Sequence, residues 1–270
     1  RAACSAAAPA RPASPNARGR PCSTPGSRPR SDPSIAEVND AGVVKGIAYG
    51  TATITATGKY SGLSASCKVE VCNVRHIAIT FDDGPSTYTT RLLNFLRNND
   101  YRVTFFLVGD RLSDYKNIVR RQVEDGHEIG YHSYSHKIQT GLTSEQILED
   151  YEKSSQILKD ISGAEFTLWR TPGGGYNDRV LNALPLPHIM WSADSYDWQS
   201  RNSTAVYNQI MNSSFDGCIV LIHDLYSTSV SGATSAMQDL AAYGYEFVTV
   251  TEILSRDGTP PENHKSYGNG

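Results

Sequence analysis

Two adjacent carboxylates, Asp82 and Asp83, stand in the run Thr-Phe-Asp-Asp-Gly-Pro at residues 80–85, directly after an apolar stretch. Like charges side by side at a strand end repel one another. The pair makes chemical sense where a metal ion holds one carboxylate and the other works as a base, although it also reads as a solvated Asp-Asp-Gly turn. Residues 132–136, His-Ser-Tyr-Ser-His, space two imidazoles four apart, which predicts His132 and His136 on one face of a helical turn. Imidazole is a common zinc ligand, but an isolated pair at this spacing is as readily two surface or core histidines. With the aspartates it gives two histidines and one carboxylate. Three protein ligands leave positions open for water and substrate, as catalytic rather than structural sites do.

Three further runs carry reactive groups. Residues 170–175 read Arg-Thr-Pro-Gly-Gly-Gly. Proline fixes one dihedral and glycine allows close backbone approach, so an N–H there can face a developing oxyanion while Arg170 orients a carboxylate. The same run also suits an ordinary Gly-rich connection. Asp194, Ser195, Tyr196, Asp197 and Trp198 place carboxylates beside a ring that can stack on a sugar or pack in a core. Leu221, Ile222, His223 and Asp224 end an apolar run, and a histidine delivered to a rim by a buried strand is a candidate general acid, though a single rim histidine is often incidental.

These groups need a scaffold, and the pattern between them supplies one. Residues 76–81, 103–108, 128–132, 167–170, 188–192, 218–223 and 246–250 read as strands, and 89–97 as a helix. The clearest helix is 143–161. Thr143 and Gln146 form a capping box, and Leu142 with Ile147 can form a hydrophobic staple. Ile147, Leu148, Tyr151, Leu158 and Ile161 then line one face. Strand and helix in alternation predict a parallel sheet with crossover helices. The reactive residues fall at the C-terminal ends of the strands, where barrels of this type place their sites.

Residues 1–32 are different: Ala, Arg, Pro and Ser dominate, and no acidic residue precedes Asp32. Such a segment buries too little apolar surface to offset its ordering entropy and reads as linker or as sequence foreign to the domain behind it. Residues 50–56 and 65–71 each alternate at period two, with Ala52, Ile54 and Ala56 on one face and Ala65, Cys67, Val69 and Val71 on the other strand's matching face. With a turn at 58–62 between them, they predict an antiparallel pair with one buried face. A half sandwich of that size is marginal alone and reads as a spacer. The five cysteines, Cys4, Cys22, Cys67, Cys72 and Cys218, fit no zinc-knuckle spacing and give no disulfide framework. Cys67 and Cys218 lie in strand-like runs as small hydrophobes.

In 270 residues there is room for one large domain plus a small module. The net charge of −3 gives no reason to expect nucleic acid as a partner, and no apolar run reaches membrane-spanning length. The absence of an initiator Met and of a signal-peptide pattern predicts a fragment or a processed form.

Taken together and in this order, the five runs resemble the motifs of the NodB-homology polysaccharide deacetylases, carbohydrate esterase family four, over residues 76–254. Residues 33–56 resemble part of a bacterial Ig-like domain. The fold class expected is therefore α/β, a distorted (β/α) barrel preceded by a small, partial all-β Ig-like module. The segments expected are 1–32 (linker or foreign), 33–72 (module), 73–256 (catalytic domain) and 257–270 (polar tail). The resemblance implies Asp82 as general base, Asp83, His132 and His136 as metal ligands, and Arg170 as the residue orienting the base. It implies Asp197 as the carboxylate paired with the catalytic histidine, Trp198 and Leu221 as the acetyl-pocket lining, and His223 as general acid. Many family members have an aromatic residue where this chain has Gly173. Glycine keeps the backbone N–H that the family uses as an oxyanion donor and removes an aromatic wall from the sugar site.

The activity implied is metal-assisted removal of acetyl groups from N-acetylglucosamine units of peptidoglycan or chitin, with O-deacetylation of acetylated xylan as the alternative. The ion expected is one divalent metal, Zn2+ first, with Co2+, Ni2+ or Mn2+ also suited to a mixed N/O site. A non-catalytic carbohydrate-binding surface protein is the reading from another class, and the complete set of base, ligands and acid argues against it. A polysaccharide or oligosaccharide substrate, no membrane insertion, a monomer, and an extracellular or cell-surface setting complete the expectations.

Overall fold

A computed structural model describes residues 32–38, 44–48, 50–57, 62–71 and 74–270. The expectations for residues 1–31 and for the turn at 58–61 lie outside the described residues. The chain divides between Asn73 and Val74 into two units.

In the first unit, β1 (Ala36–Val38) pairs antiparallel with β2 (Val44–Gly46), and β3 (Gly50–Thr57) with β4 (Ser64–Val71). Ile54 stands opposite Cys67, and the hydroxyls of Thr55 and Ser66 bond across the ladder at 2.8 Å. The expected buried face is only half present. Ala52 and Ile54 are buried, whereas Ala56, Ala65 and Cys67 are exposed. A two-stranded ribbon has little to pack its second strand against, so Cys67 is not the buried hydrophobe expected.

The second unit opens with β5 (Arg75–Asp82), which is apolar on both sides, the pattern of a central parallel strand. Then come α1 (Thr89–Asn99), β6 (Thr104–Leu107), α2 (Lys116–Glu124), β7 (Glu128–Tyr131), α3 (Ser144–Ser162) and α4 (Asp178–Leu181). After these lie β8 (His188–Ile189), β9 (Ala193–Asp194), α5 (Asp197–Ser200), α6 (Ser203–Ser213), β10 (Cys218–His223) and α7 (Ser227–Ala242). The chain ends with β11 (Tyr245–Phe247), α8 (Val250–Leu254) and β12 (Ser266–Tyr267). The parallel sheet runs β7–β6–β5–β10–β9, with β11 on the start of β5.

Beyond β7 the wall thins. Where a strand over 167–170 is expected, Trp169 alone bridges Tyr131 on one side and His188 on the other. The expected strand over 188–192 is instead the two short strands β8 and β9. They stand at opposite ends of the wall and are consecutive in sequence, so the Met190–Ser192 link closes a distorted barrel. The strand expected over 246–250 stops at Phe247, because Thr249 caps α8 in a capping box with Glu252. Residues 257–270, expected as a tail, instead supply β12, which pairs with β8.

Period-two alternation sorts the wall into two layers. Ile77, Ile79, Phe81, Phe105, Leu107, Tyr131, Val220 and Ile222 face the helices, while Ala78, Phe106, Leu168, Ile189 and Ile219 fill the barrel interior with Val250 and Ile253 of α8. Gly130 is required on the inner face, because a Cβ there would lie 2.5 Å from the Phe106 ring. In α3 the Thr143–Gln146 capping box forms as expected. Ile147 and Leu158 are buried, but Leu148 is exposed and Ser154 takes a buried position instead.

Candidate active site

The inner rows of these strands end in polar residues. On β5 the row is Ala78, Thr80, Asp82; on β10 it is Ile219, Leu221, His223. The sequence position after β7 adds His132, the one after Trp169 adds Arg170, and β9 ends in Asp194. All of these side chains therefore converge on one end of the barrel. The cleft there has a volume of about 390 Å³ and is lined by Asp82, Asp83, His132, His136, Gly173, Trp198, Leu221 and His223, with Thr171, Trp191 and Asp194 beside them.

Asp83, His132 and His136 meet. One ligand atom from each lies within 4.8 Å of the others. Asp83 Oδ1 is 3.3 Å from His132 Nε2 and 2.9 Å from His136 Nε2, yet this buried oxygen has no hydrogen bond. His132 Nδ1 lies 2.8 Å from the carbonyl oxygen of Arg170. A carbonyl only accepts, so Nδ1 carries a proton there and Nε2 is the ring atom turned to the carboxylate. Two imidazole nitrogens and a carboxylate oxygen are donor types that a divalent ion takes. Donor atoms about 2.0–2.2 Å from one tetrahedral ion stand about 3.4 Å apart, so the spacing and the donor set both fit a divalent metal.

The two histidines do not sit on a helical turn. Residues 132–136 form a loop in which Ser133 has φ 63° and His136 φ 56°, and Asp83 has φ 68°. Each non-glycine residue in the left-handed region costs about 1–2 kcal/mol. Such strain collects where geometry serves a site rather than stability.

Asp82 lies beside this cluster, with Oδ2 3.8 Å from His132 Nε2. Its other oxygen accepts a hydrogen bond from Arg170 Nη1 at 2.8 Å. The guanidinium is wholly buried and uses four of its five N–H donors: it also donates to Thr80 Oγ1, Ile189 O and Met190 O, and it stacks over the Phe106 ring. Thr80 was not anticipated, but it lies two residues before Asp82 on the same strand face, a signal that was present in the sequence.

Across the cleft, His223 Nδ1 is 2.8 Å from Asp197 Oδ1, and the His223 backbone N–H donates to Asp197 Oδ2 at 3.1 Å. Burial alone would push the imidazole down, but the hydrogen bond and charge of Asp197, with Asp82 and Asp83 adding, raise it to about 9. Burial would raise Asp197 itself, and the bonds from His223 hold it below the usual range. His223 Nε2 points back to the cluster, 4.0 Å from Asp83 Oδ2.

Gly173 and Gly174 have φ of 67° and 71°, so the turn after Pro172 needs glycine at both positions. A Cβ on Gly174 would also lie 2.8 Å from the Trp191 ring. Leu221 is nearly buried and Trp198 half exposed, so the two form an inner and an outer wall. Asp224 was missed as a support. It is fully buried, accepts from Thr89 Oγ1, and its carbonyl accepts from Ser86 Oγ, which ties the loop after Asp83 to the end of β10.

The chain resembles known proteins. A family model described as Polysaccharide deacetylase matches residues 71–186, and one described as Bacterial Ig-like domain (group 2) matches residues 30–69. The chain is 36% identical over 182 residues to the peptidoglycan-N-acetylmuramic acid deacetylase PdaC of Bacillus subtilis, covering 67% of this chain and 39% of that protein. It thus spans about two fifths of that relative's length. A peptidoglycan-N-acetylglucosamine deacetylase of Bacillus cereus is 33% identical, with 67% of this chain and 89% of that protein covered. The solved structure of a family 4 acetyl xylan esterase from Clostridium thermocellum in complex with a cobalt ion superposes with a TM-score of 0.68 at 28% identity, covering 72% of this chain and 98% of that one. A barrel mouth that gathers two histidines and paired aspartates, in a chain that covers nearly all of a Bacillus cereus deacetylase, places the protein in one family: it belongs to the polysaccharide deacetylases.

Proposed function

We propose that the protein is a metal-dependent hydrolase that removes acetyl groups from N-acetylglucosamine units of a peptidoglycan- or chitin-type polysaccharide outside the cell or at its surface. The observation that carries this reading is the placement of two polar pairs, Asp82–Arg170 and His223–Asp197, around the Asp83, His132 and His136 cluster. A base and an acid stand on either side of a metal site in one cleft.

Asp83, His132 and His136 would hold the ion, with zinc the first choice and cobalt, nickel or manganese also suited to these donors. When bound, a divalent ion supplies Lewis-acid polarisation of the acetyl carbonyl and makes water a nucleophile near neutral pH. Asp82 takes the proton from the attacking water, and the Arg170 guanidinium holds its other oxygen and turns the carboxylate. The Gly173 N–H donates to the oxygen that gains charge as the carbonyl carbon becomes tetrahedral. Trp198 and Leu221 enclose the acetyl methyl. His223, with Nδ1 engaged by Asp197, gives the proton on Nε2 to the departing sugar nitrogen, and acetate and a free amine result. Residues 33–72 act as a spacer, and a chain beginning at Asn73 retains activity on short soluble substrates.

The likeness to an acetyl xylan esterase supports a second reading, removal of O-acetyl groups from xylan, with the same residues in the same roles. Acetate release from chitooligosaccharides, peptidoglycan and acetylxylan, with and without added zinc, separates the two. Zinc-dependent release from the first two is expected, release from acetylxylan alone favours the second reading, and release from none overturns both.

A further inference from the structure

Asp194 has no part in the chemistry above, yet it ends an inner-face row. It stands in register with Leu221 across the β9–β10 pair, and the preceding Ala193 faces the helices. Asp194 is partly exposed and lines the cleft together with Trp191 and Trp198. One oxygen is fixed: Oδ1 accepts the Tyr196 N–H at 2.8 Å, and Tyr196 holds the left-handed conformation, φ 49°, that brings this N–H back. No lysine or arginine pairs with it in an ion bridge among the described residues, unlike Asp82, whose charge Arg170 meets. The Trp198 side chain also donates to Asp194 and the charge of His223 acts on it, but a carboxylate offers about four lone-pair sites, so one that is oriented and open to the cleft accepts a further donor. Indoles lining the same cleft suit the apolar C–H faces of a sugar ring, whose edge carries hydroxyl donors.

We infer that Asp194 is a substrate-recognition residue that accepts a hydroxyl of the acetylated sugar while Trp191 and Trp198 hold the ring. The site then selects a sugar that presents a free hydroxyl at this wall and disfavours one that presents a carboxylate there, because two carboxylates repel. This rests on the proposed deacetylase reading.

The test uses the full chain loaded with zinc, and compares kcat/KM on a chitooligosaccharide and on an aryl acetate, which has no sugar hydroxyl. Asp194→Leu keeps the bulk and removes the acceptor. The ratio of oligosaccharide to aryl acetate activity is expected to fall about 10- to 100-fold, the range for a hydrogen bond to a charged group. The affinity of the metal-free chain for the oligosaccharide, measured by calorimetry, is expected to fall with it. Asp194→Asn keeps an oxygen for the Tyr196 N–H and turns the other oxygen into an NH2, which donates where the carboxylate accepts. It is expected to lower the ratio about fivefold, and it carries the test if the leucine variant does not fold. An unchanged ratio in the variants, with an active parent, overturns the inference alone. A parent that releases no acetate from the oligosaccharide overturns the functional reading and the inference with it.

Discussion

His132 donates its Nδ1–H to the carbonyl oxygen of Arg170 at 2.8 Å, so one residue braces both halves of the site. The backbone of Arg170 fixes the ring that faces Asp83, and its side chain fixes Asp82. An outer partner of this kind sets the tautomer and aim of a metal-binding histidine.

The two histidines should therefore contribute unequally to metal binding. His132 is buried and braced, whereas the His136 side chain is about half exposed. Replacing either by alanine should weaken zinc binding by at least about tenfold, the scale of losing even an outer partner, and His132→Ala should weaken it more. Competition titration against a chromophoric chelator measures both. Equal zinc affinity in His136→Ala and the parent would remove His136 from the ligand set.

Arg170→Lys should behave as a severe substitution. The guanidinium makes four hydrogen bonds to Asp82, Thr80, Ile189 and Met190 inside the protein. An ammonium has three donors and no planar fork. Leaving a buried charge partly unpaired costs about 3–5 kcal/mol. The expected result is a lower urea midpoint together with loss of turnover. Retention of stability with loss of turnover alone would show that Arg170 matters to the base and not to the fold.

Stability should also fall in mild acid, because two buried histidines resist protonation. His127 is buried, its Nδ1 accepts the Val103 N–H at 3.4 Å, and its ring meets Phe105 edge-on. A second proton would confront that N–H. Burial lowers the imidazole to about 4, with Asp125 acting upward and Arg102 and Arg121 downward. Burial, with the Arg170 charge, also lowers His188 to about 3. The unfolded chain takes up these protons from about pH 6.5 downward, while the folded chain resists. The contribution of these two histidines is thus complete above that value and declines as pH falls towards 4, by roughly 2 kcal/mol per histidine at pH 5. Urea unfolding at pH 7 and pH 5 measures the decline, and His127→Gln should reduce it by roughly 2 kcal/mol. The same decline in that variant would mean that His127 titrates normally in the folded protein.

The central strands were legible in the sequence because β5 and β10 are long and apolar on both faces. Their polar ends then named Asp82, Asp83, Leu221 and His223. The capping box of α3 was legible because Thr143 and Gln146 interact within one turn. What pattern could not give is the thin part of the wall. Trp169 makes single bridges, and β8 and β9 are two residues each, too short for any alternation to register. Their partners are distant in sequence: β12 pairs with β8 across nearly eighty residues, so a polar composition masked a strand. His132 and His136 showed their chemistry by type, but a spacing of four suggested a helix where left-handed residues make a loop. Arg170 was visible as a cation, whereas its carbonyl partners at Ile189 and Met190 exist only once the barrel closes.

The division of labour between Asp82 and His223 leads to the last prediction. Asp82 shares its charge with Arg170 and sits beside His132, while His223 presents Nε2 from the other strand end with Asp197 behind it. If Asp82 is the base, Asp82→Asn should abolish turnover and leave zinc bound, since Asp83 and the histidines are untouched. If His223 is the acid, its importance depends on the leaving group. A sugar amine departs poorly without a proton, whereas an aryl oxide departs readily as the anion. His223→Ala should therefore cost far more on a chitooligosaccharide than on an aryl acetate, by about 10²-fold, the low end of what general acid catalysis supplies. Steady-state kinetics on the two substrates gives the comparison. Equal losses on both would leave His223 as a binding residue and require another proton donor in the cleft.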